Sequence, residues 1–156
     1  MKFMSVIAAV LCAGAICVSA AEVKISGLTG SAKVAKIEQK AKTRTTGGSF
    51  VFMKVPDSLK GLPIVTVSRG SMKKPGAGFS LTIDQPATVY LLVHDRGTPT
   101  IPADWKKTSM KVQWSAGADT VYEKQVKAGK IEVPAHNGKA DGNYGIPCAV
   151  VIKPAK

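Results

Sequence analysis

Downstream of Gly48 the chain repeats one pattern: short runs rich in β-branched and aromatic residues, each closed by a Gly, Pro or Asp turn, which predicts an all-β sandwich or barrel. Phe50 to Val55 is apolar on both faces and Leu62 to Val67 nearly so, placing both near the middle of sheets. Phe79, Leu81 and Ile83 alternate with Ser80, Thr82 and Asp84, a strand with one wet face. Thr88 to Val93 is largely apolar and delivers His94-Asp95-Arg96 at its end. Met110, Val112 and Trp114 alternate with Lys111 and Gln113, so the tryptophan falls on the apolar side. Val121 to Val126 and Ile131 to Val133 flank Ala128-Gly129. The last run, Ile146 to Lys153, is expected to set Ile146, Cys148, Val150 and Ile152 on one face.

The connections carry their own signals. Pro56 to Gly61 reads as a single helical turn, with Pro at a first helical position and Gly at the exit. Gly97 to Trp105 contains Pro99 and Pro102, neither able to donate to a central ladder, and is read as a rigid loop. Ser115 to Asp119, His136-Asn137-Gly138 and Asp141-Gly142-Asn143 read as turns. Linkers this short leave no room for crossover helices. The expected fold is therefore an antiparallel β-sandwich of jelly-roll or Greek-key type spanning 49–156.

Ahead of it, 22–48 is rich in Lys, Ala, Thr and Gly and is read as a basic N-terminal arm or an edge strand. Residues 1–21 have a different character. Lys2 precedes an apolar run from Val6 to Val18 that closes in Val18-Ser19-Ala20, the pattern of a cleaved secretory signal peptide, too short for a transmembrane anchor. The expectation is a secreted or periplasmic bacterial protein starting at Ala21 or Glu22, with no transmembrane segment in the mature chain. About 135 residues then remain, enough for one core without disulfides or a structural metal. Cys12 and Cys17 leave with the leader, and Cys148, in an apolar strand context, reads as a small buried hydrophobe.

Charge changes the picture next. The net charge of +12 becomes +11 without Lys2, so the basic character belongs to the exported domain. It comes from eighteen lysines and only Arg44, Arg69 and Arg96, with no arginine-rich tract and no interleaved aromatic series. Lysine offers a hydrated point charge rather than a planar fork, which suits loose attraction to a polyanion and argues against specific nucleic-acid binding.

Several junctions together resemble a small β-sandwich module of secreted bacterial proteins, often found beside carbohydrate-active or sugar-binding domains. The resemblance rests on Val55-Pro56-Asp57-Ser58-Leu59-Lys60-Gly61, on Pro86-Ala87-Thr88-Val89-Tyr90 leading to Asp95-Arg96, on Pro102-Ala103-Asp104-Trp105 and on Ala128-Gly129-Lys130-Ile131, roughly half of the mature chain. It implies a sandwich fold in a carbohydrate setting. Where such modules carry an acidic or amide pair after the second strand, this chain has Ser68-Arg69-Gly70.

The densest group of chemical side chains is His94-Asp95-Arg96, at a strand end that opens into a loop. In a strand His94 and Asp95 point to opposite faces, so they form no dyad, and Asp95 and Arg96 are read either as partners of each other and of loop backbone or as ligand contacts. Trp105, in a Pro-bounded loop, is the first candidate for a flat sugar-binding platform, whereas Trp114 is assigned to the core. Tyr90 shares a face with Leu92 and His94. Candidate ligand contacts are thus Trp105, Asp95, Arg96, His94 and Tyr90.

Catalysis has little to build on. The mature chain offers two histidines, no Gly-x-Ser-x-Gly elbow, no His-Glu-x-x-His and no phosphate-cradling loop, while Asp95, Asp104 and Asp84 show no spacing that fixes a pair. Asp141-Gly142-Asn143 lacks the further acids of a calcium loop, and no metal or cofactor is expected. The sequence points to an exported, non-catalytic binding module for carbohydrate or another anionic extracellular polymer. The alternative is a structural or assembly protein of the cell envelope that binds a protein partner.

Overall fold

The computed structural model describes residues 22–156; the signal-peptide reading of 1–21 lies outside them. The described residues contain twelve strands and no helix. Three of them, β1 (Ile25–Ser26), β5 (Phe79–Ile83) and β9 (Gly129–Val133), form an antiparallel sheet in the order β1-β5-β9. Seven form a second antiparallel sheet: β2 (Lys33–Lys36), β3 (Phe52–Lys54), β4 (Pro63–Thr66), β6 (Ala87–His94), β7 (Lys106–Trp114), β8 (Gly117–Val126) and β12 (Ala149–Pro154), ordered β2-β4-β12-β6-β8-β7-β3. The pair β10 (Lys139–Ala140) and β11 (Asn143–Tyr144) is a small hairpin. Its two-residue turn, Asp141-Gly142, has φ of 51° and 72°, a left-handed conformation that glycine adopts freely and Asp tolerates.

β6 occupies the centre of the larger sheet because its sequence, ATVYLLVH, has an apolar side chain for each face. Val89, Leu91 and Val93 point to one side, where Cys148, Val150 and Ile152 join them against Phe79, Leu81, Ile83, Ile131 and Val133 of the smaller sheet. That is the sandwich expected from the alternation. Tyr90, Leu92 and Val151 point to the other side, into a second core with Ile37, Phe52, Leu59, Ile64, Val112, Trp114 and Val121.

Among the described residues no separate sheet covers this second face; the seven-stranded sheet curls over it. The chain following β2 reaches the opposite edge strand, where Phe52 accepts from the Lys40 amide (2.8 Å) and donates to the Ala41 carbonyl (3.0 Å). Irregularities in register, between Lys107 and Lys111 on β7 and between Phe52 and Lys54 on β3, supply the local bending. Residues 22–48, read from sequence as an arm or edge strand, thus contribute β1, the edge strand β2 and the fully buried Ile37. Burying one such aliphatic side chain contributes roughly 1.5–3 kcal/mol, so this segment is part of the fold's stability.

Several local expectations need correction. Phe50 to Val55, placed near the middle of a sheet, supplies only the edge strand β3, where Met53 is exposed. Pro56 to Gly61 forms linked turns closed by bonds three residues back, the Leu59 amide donating to the Pro56 carbonyl (3.0 Å) and the Leu62 amide to the Leu59 carbonyl (3.2 Å), with Leu59 fully buried beneath them, and not a turn of α-helix. Ile146 does not share a face with Cys148: the ladder begins only at Ala149, and the irregular Pro147 turns Ile146 into the curled interior. Asp119 lies in β8 and is fully buried, not in a turn, since the reversal after Trp114 takes only Ser115 and Ala116. His136 is likewise fully buried, its backbone bridged to Gly76.

Candidate functional site

At one end of the curled interior the apolar packing gives way to a polar plug. Arg44 is 1 % exposed and Asp119 0 %; Arg44 Nε donates to Asp119 Oδ2 at 2.7 Å and Nη2 to Oδ1 at 2.9 Å, a two-pronged pair, and Nη1 donates to the Pro147 carbonyl at 3.0 Å. The planar fork matches the carboxylate edge as a lysine ammonium does not. The guanidinium also stands 5.7 Å from the centroid of the Trp114 ring, which Phe50 and His94 meet edge-on, each at 4.9 Å.

His94 is held by the same network. Its Nδ1 accepts from the Ile146 amide at 3.2 Å, which leaves the proton on Nε2, and its carbonyl lies 2.7 Å from His136 Nε2. Burial pushes the His94 imidazole down to a pKa of about 4; Asp119 opposes this, while Arg44, His136 and Arg96 add to it. Gly145 makes the packing possible, because a Cβ there would come within 2.2 Å of the His136 ring. Cys148 is sealed in the other core, its thiol pushed up to about 12 by burial, too high for a nucleophile at neutral pH.

Asp95 and Arg96 lie just beyond the end of β6 at His94, where the chain leaves the strand. They do not pair with each other. Asp95 accepts from Lys111 Nζ and from Thr120 Oγ1, both at 2.6 Å, and Arg96 Nη1 donates to the Ala140 carbonyl at 3.4 Å. Partial burial pushes the Asp95 carboxyl up, but the bonds from Lys111 and Thr120 together outweigh it and hold it below the usual range. A shallow recess of about 340 Å³ lies over His94, Asp95, Arg96, Gly117 and Asp141.

Trp105 belongs to a different place. It immediately precedes β7, after a turn in which its amide donates to the Pro102 carbonyl at 3.1 Å, and its indole packs on the sandwich core with 6 % exposure. It forms the floor of a cleft of about 550 Å³ between Pro102–Trp105 and the β8–β9 connection. Lys124, Lys127 and Lys130 line this cleft, and β9, the outer strand of its sheet, runs along it. Lys124 Nζ lies 5.4 Å from the Trp105 centroid and pairs with Asp104, whose carboxyl it holds below the usual range; Lys130 pairs with Glu132.

The five candidates are therefore not brought together. The 550 Å³ cleft and the recess at Asp95 and Arg96 share no lining residue, His94 and Tyr90 are each 8 % exposed in the curled interior, and Trp105 offers no bare platform. Tyr90 is buried because its neighbours on that face, Leu92 and Val151, are core; burial, then Glu123, raises its phenol pKa. Sequence reasoning missed Arg44, Asp119 and the cleft lysines. Arg44 carried one signal: in a chain that uses lysine for surface charge, an arginine marks a place that needs a fork. No group of three or more His, Cys, Asp or Glu suited to a metal occurs among the described residues, and no helix of these is long and apolar enough to cross a membrane.

No protein-family model matches the chain, and no curated protein sequence does. Solved structures do resemble it. A β-glucuronidase from glycoside hydrolase family 2 matches with a TM-score of 0.65 and 17% identity over 84% of this chain and 15% of the enzyme. A GH138 enzyme targeting pectin rhamnogalacturonan II matches with a TM-score of 0.59 and 16% identity over 90% of this chain and 17% of its own. At these identities the likeness is one of fold: this chain is similar to one all-β portion, about a sixth of the length, of each carbohydrate-active enzyme.

Proposed function

We propose that this chain is an exported, non-catalytic module that binds an anionic polysaccharide in the cleft between Pro102–Trp105 and β9. The observation that carries the reading is the cleft itself: about 550 Å³, open, floored by Trp105 and Ile131 and edged by Lys124, Lys127 and Lys130. Lysines so placed attract a polyanion at long range and hold it without a fixed hydrogen-bond geometry, which suits a repetitive polymer. The likeness to portions of a β-glucuronidase and of an enzyme targeting pectin rhamnogalacturonan II supports a carbohydrate setting.

Binding without turnover is supported by the state of the acids. Asp104 and Glu132, the carboxylates in the cleft, are each tied to a lysine, and the Lys124 ammonium holds the Asp104 carboxyl below the usual range, away from the protonated form a general acid needs. His94, whose imidazole pKa is pushed down by burial, is 8 % exposed and does not line the cleft. The rival, a protein partner adding a strand at a sheet edge, finds less support at β2, whose Lys33 and Lys36 guard that edge.

The test is a titration of the mature domain with polygalacturonate, dextran sulfate, neutral dextran and double-stranded DNA at two ionic strengths. Binding of the acidic polysaccharides that weakens with salt, with neutral dextran inert, is the expected result. Failure of every polysaccharide to bind at low salt overturns the reading, and tighter binding of DNA reassigns it to nucleic acid.

A further inference from the structure

Trp105 looks closed to ligands by its 6 % exposure, yet what lies over its outward face is a lysine and not the core. One side of the indole packs on the aliphatic residues of the sandwich. On the cleft side the Lys124 ammonium stands 5.4 Å from the ring centroid, held there by Asp104. Lys124 is itself 31 % exposed and Asp104 56 %. Ion pairs this exposed and cation–π contacts at a protein surface are both weak, so this cover lifts at little cost. The lysine stem shields apolar surface while its charge stays in water.

Resting on the polysaccharide reading above, we infer that Trp105 and Lys124 form one subsite for a pyranose carrying its own carboxylate, a uronic-acid residue, and that Lys124 covers the indole until the ligand arrives. The chemistry of such a ring matches the pair. Its axial C–H bonds make an apolar face that packs on the indole, and its carboxylate draws the Lys124 ammonium away from Asp104 and off the ring. A polyanion without rings offers the charge but nothing to replace the lysine over Trp105. Lys127 and Lys130 continue the positive charge along the same cleft toward neighbouring residues of the polymer.

Tryptophan fluorescence of the full mature chain tests this, with Trp105→Phe isolating the Trp105 signal from that of Trp114. Lys124 is on the surface, so Lys124→Ala is expected to fold normally and to raise acrylamide quenching of Trp105 by about twofold or more, while Lys124→Arg restores protection. Saturating polygalacturonate should shift the Trp105 emission and protect it from acrylamide, whereas polyglutamate, a carboxylate chain without rings, should bind without either effect. Unchanged quenching in Lys124→Ala, or polygalacturonate that binds with no response from Trp105, overturns the subsite and leaves cleft binding standing. Absence of any polyanion binding removes both readings.

Discussion

The polar plug and the Trp105 cleft make opposite use of charged residues. The plug gathers an arginine, an aspartate, two histidines and a tryptophan within a few ångströms and closes them off; Arg44, Asp119 and His136 are essentially without exposure. The cleft holds lysines and acids of ordinary surface type, two pairs of them in exposed salt bridges, and is open. Density of chemical side chains therefore marks where the fold is fastened, and accessibility marks where a ligand can bind. A two-pronged buried pair is a costly arrangement whose worth shows when one half is lost.

The largest expected effect lies in the plug. Arg44→Met leaves the Asp119 carboxylate buried without its partner and should destabilise the domain by about 3–5 kcal/mol, read from the midpoint of chemical denaturation. Removing both partners, Arg44→Met with Asp119→Leu, should recover a substantial part of that loss, because the uncompensated charge is gone. Any of these proteins that still folds should bind polysaccharide as the parent does. Loss of binding at full folding would break the division between fastening and recognition.

An intermediate effect comes from pH. His94 titrates at about 4 in the folded chain against 6.5 for an ordinary histidine, so the unfolded chain takes up a proton that the folded one refuses. Its contribution leaves stability intact above about 6.5 and lowers it as pH falls from there to about 4, with a slope of no more than about 1.4 kcal/mol per pH unit. His94→Gln should flatten the stability profile over that window, measured by denaturant midpoints at successive pH values. An unchanged slope would show that His94 is not the group that couples the plug to acid.

The smallest effect on stability, and the largest on binding, belongs to the cleft. Lys127→Glu with Lys130→Glu should change unfolding free energy by less than about 1 kcal/mol, since these are surface charges. The same protein should lose roughly tenfold in affinity for polygalacturonate at low salt, a gap that narrows as salt screens both proteins. Cys148 offers a control for global opening: its thiol should resist labelling in the native domain and react only on unfolding.

Much of the fold was legible because side-chain alternation reports burial directly. The apolar runs from Phe50 onward correspond to strands, and Trp114 and Cys148 lie in the cores where alternation placed them. What was not legible depended on pairings distant in sequence. Arg44 and Asp119 are 75 positions apart, and nothing local to either announces the other. Trp105 sits in a Pro-bounded stretch that resembles a loop platform, and packing on the sandwich core together with the approach of Lys124 across a strand pair closes it. His136 reads as a turn from its neighbours Asn137 and Gly138, and is buried because Gly145 lets the chain pass close. The curl of the larger sheet likewise depends on Lys40 and Ala41 meeting Phe52, a contact that no periodicity encodes.

The claim that recognition sits in the cleft and not at the plug is tested most directly by following backbone amides in a ¹⁵N-labelled domain titrated with oligogalacturonate. Perturbations confined to 102–106 and 124–132, with Arg44, His94 and 117–120 unmoved, are the predicted result. Perturbations centred on His94, Arg96 and Gly117, or none at all at saturating ligand, would contradict it.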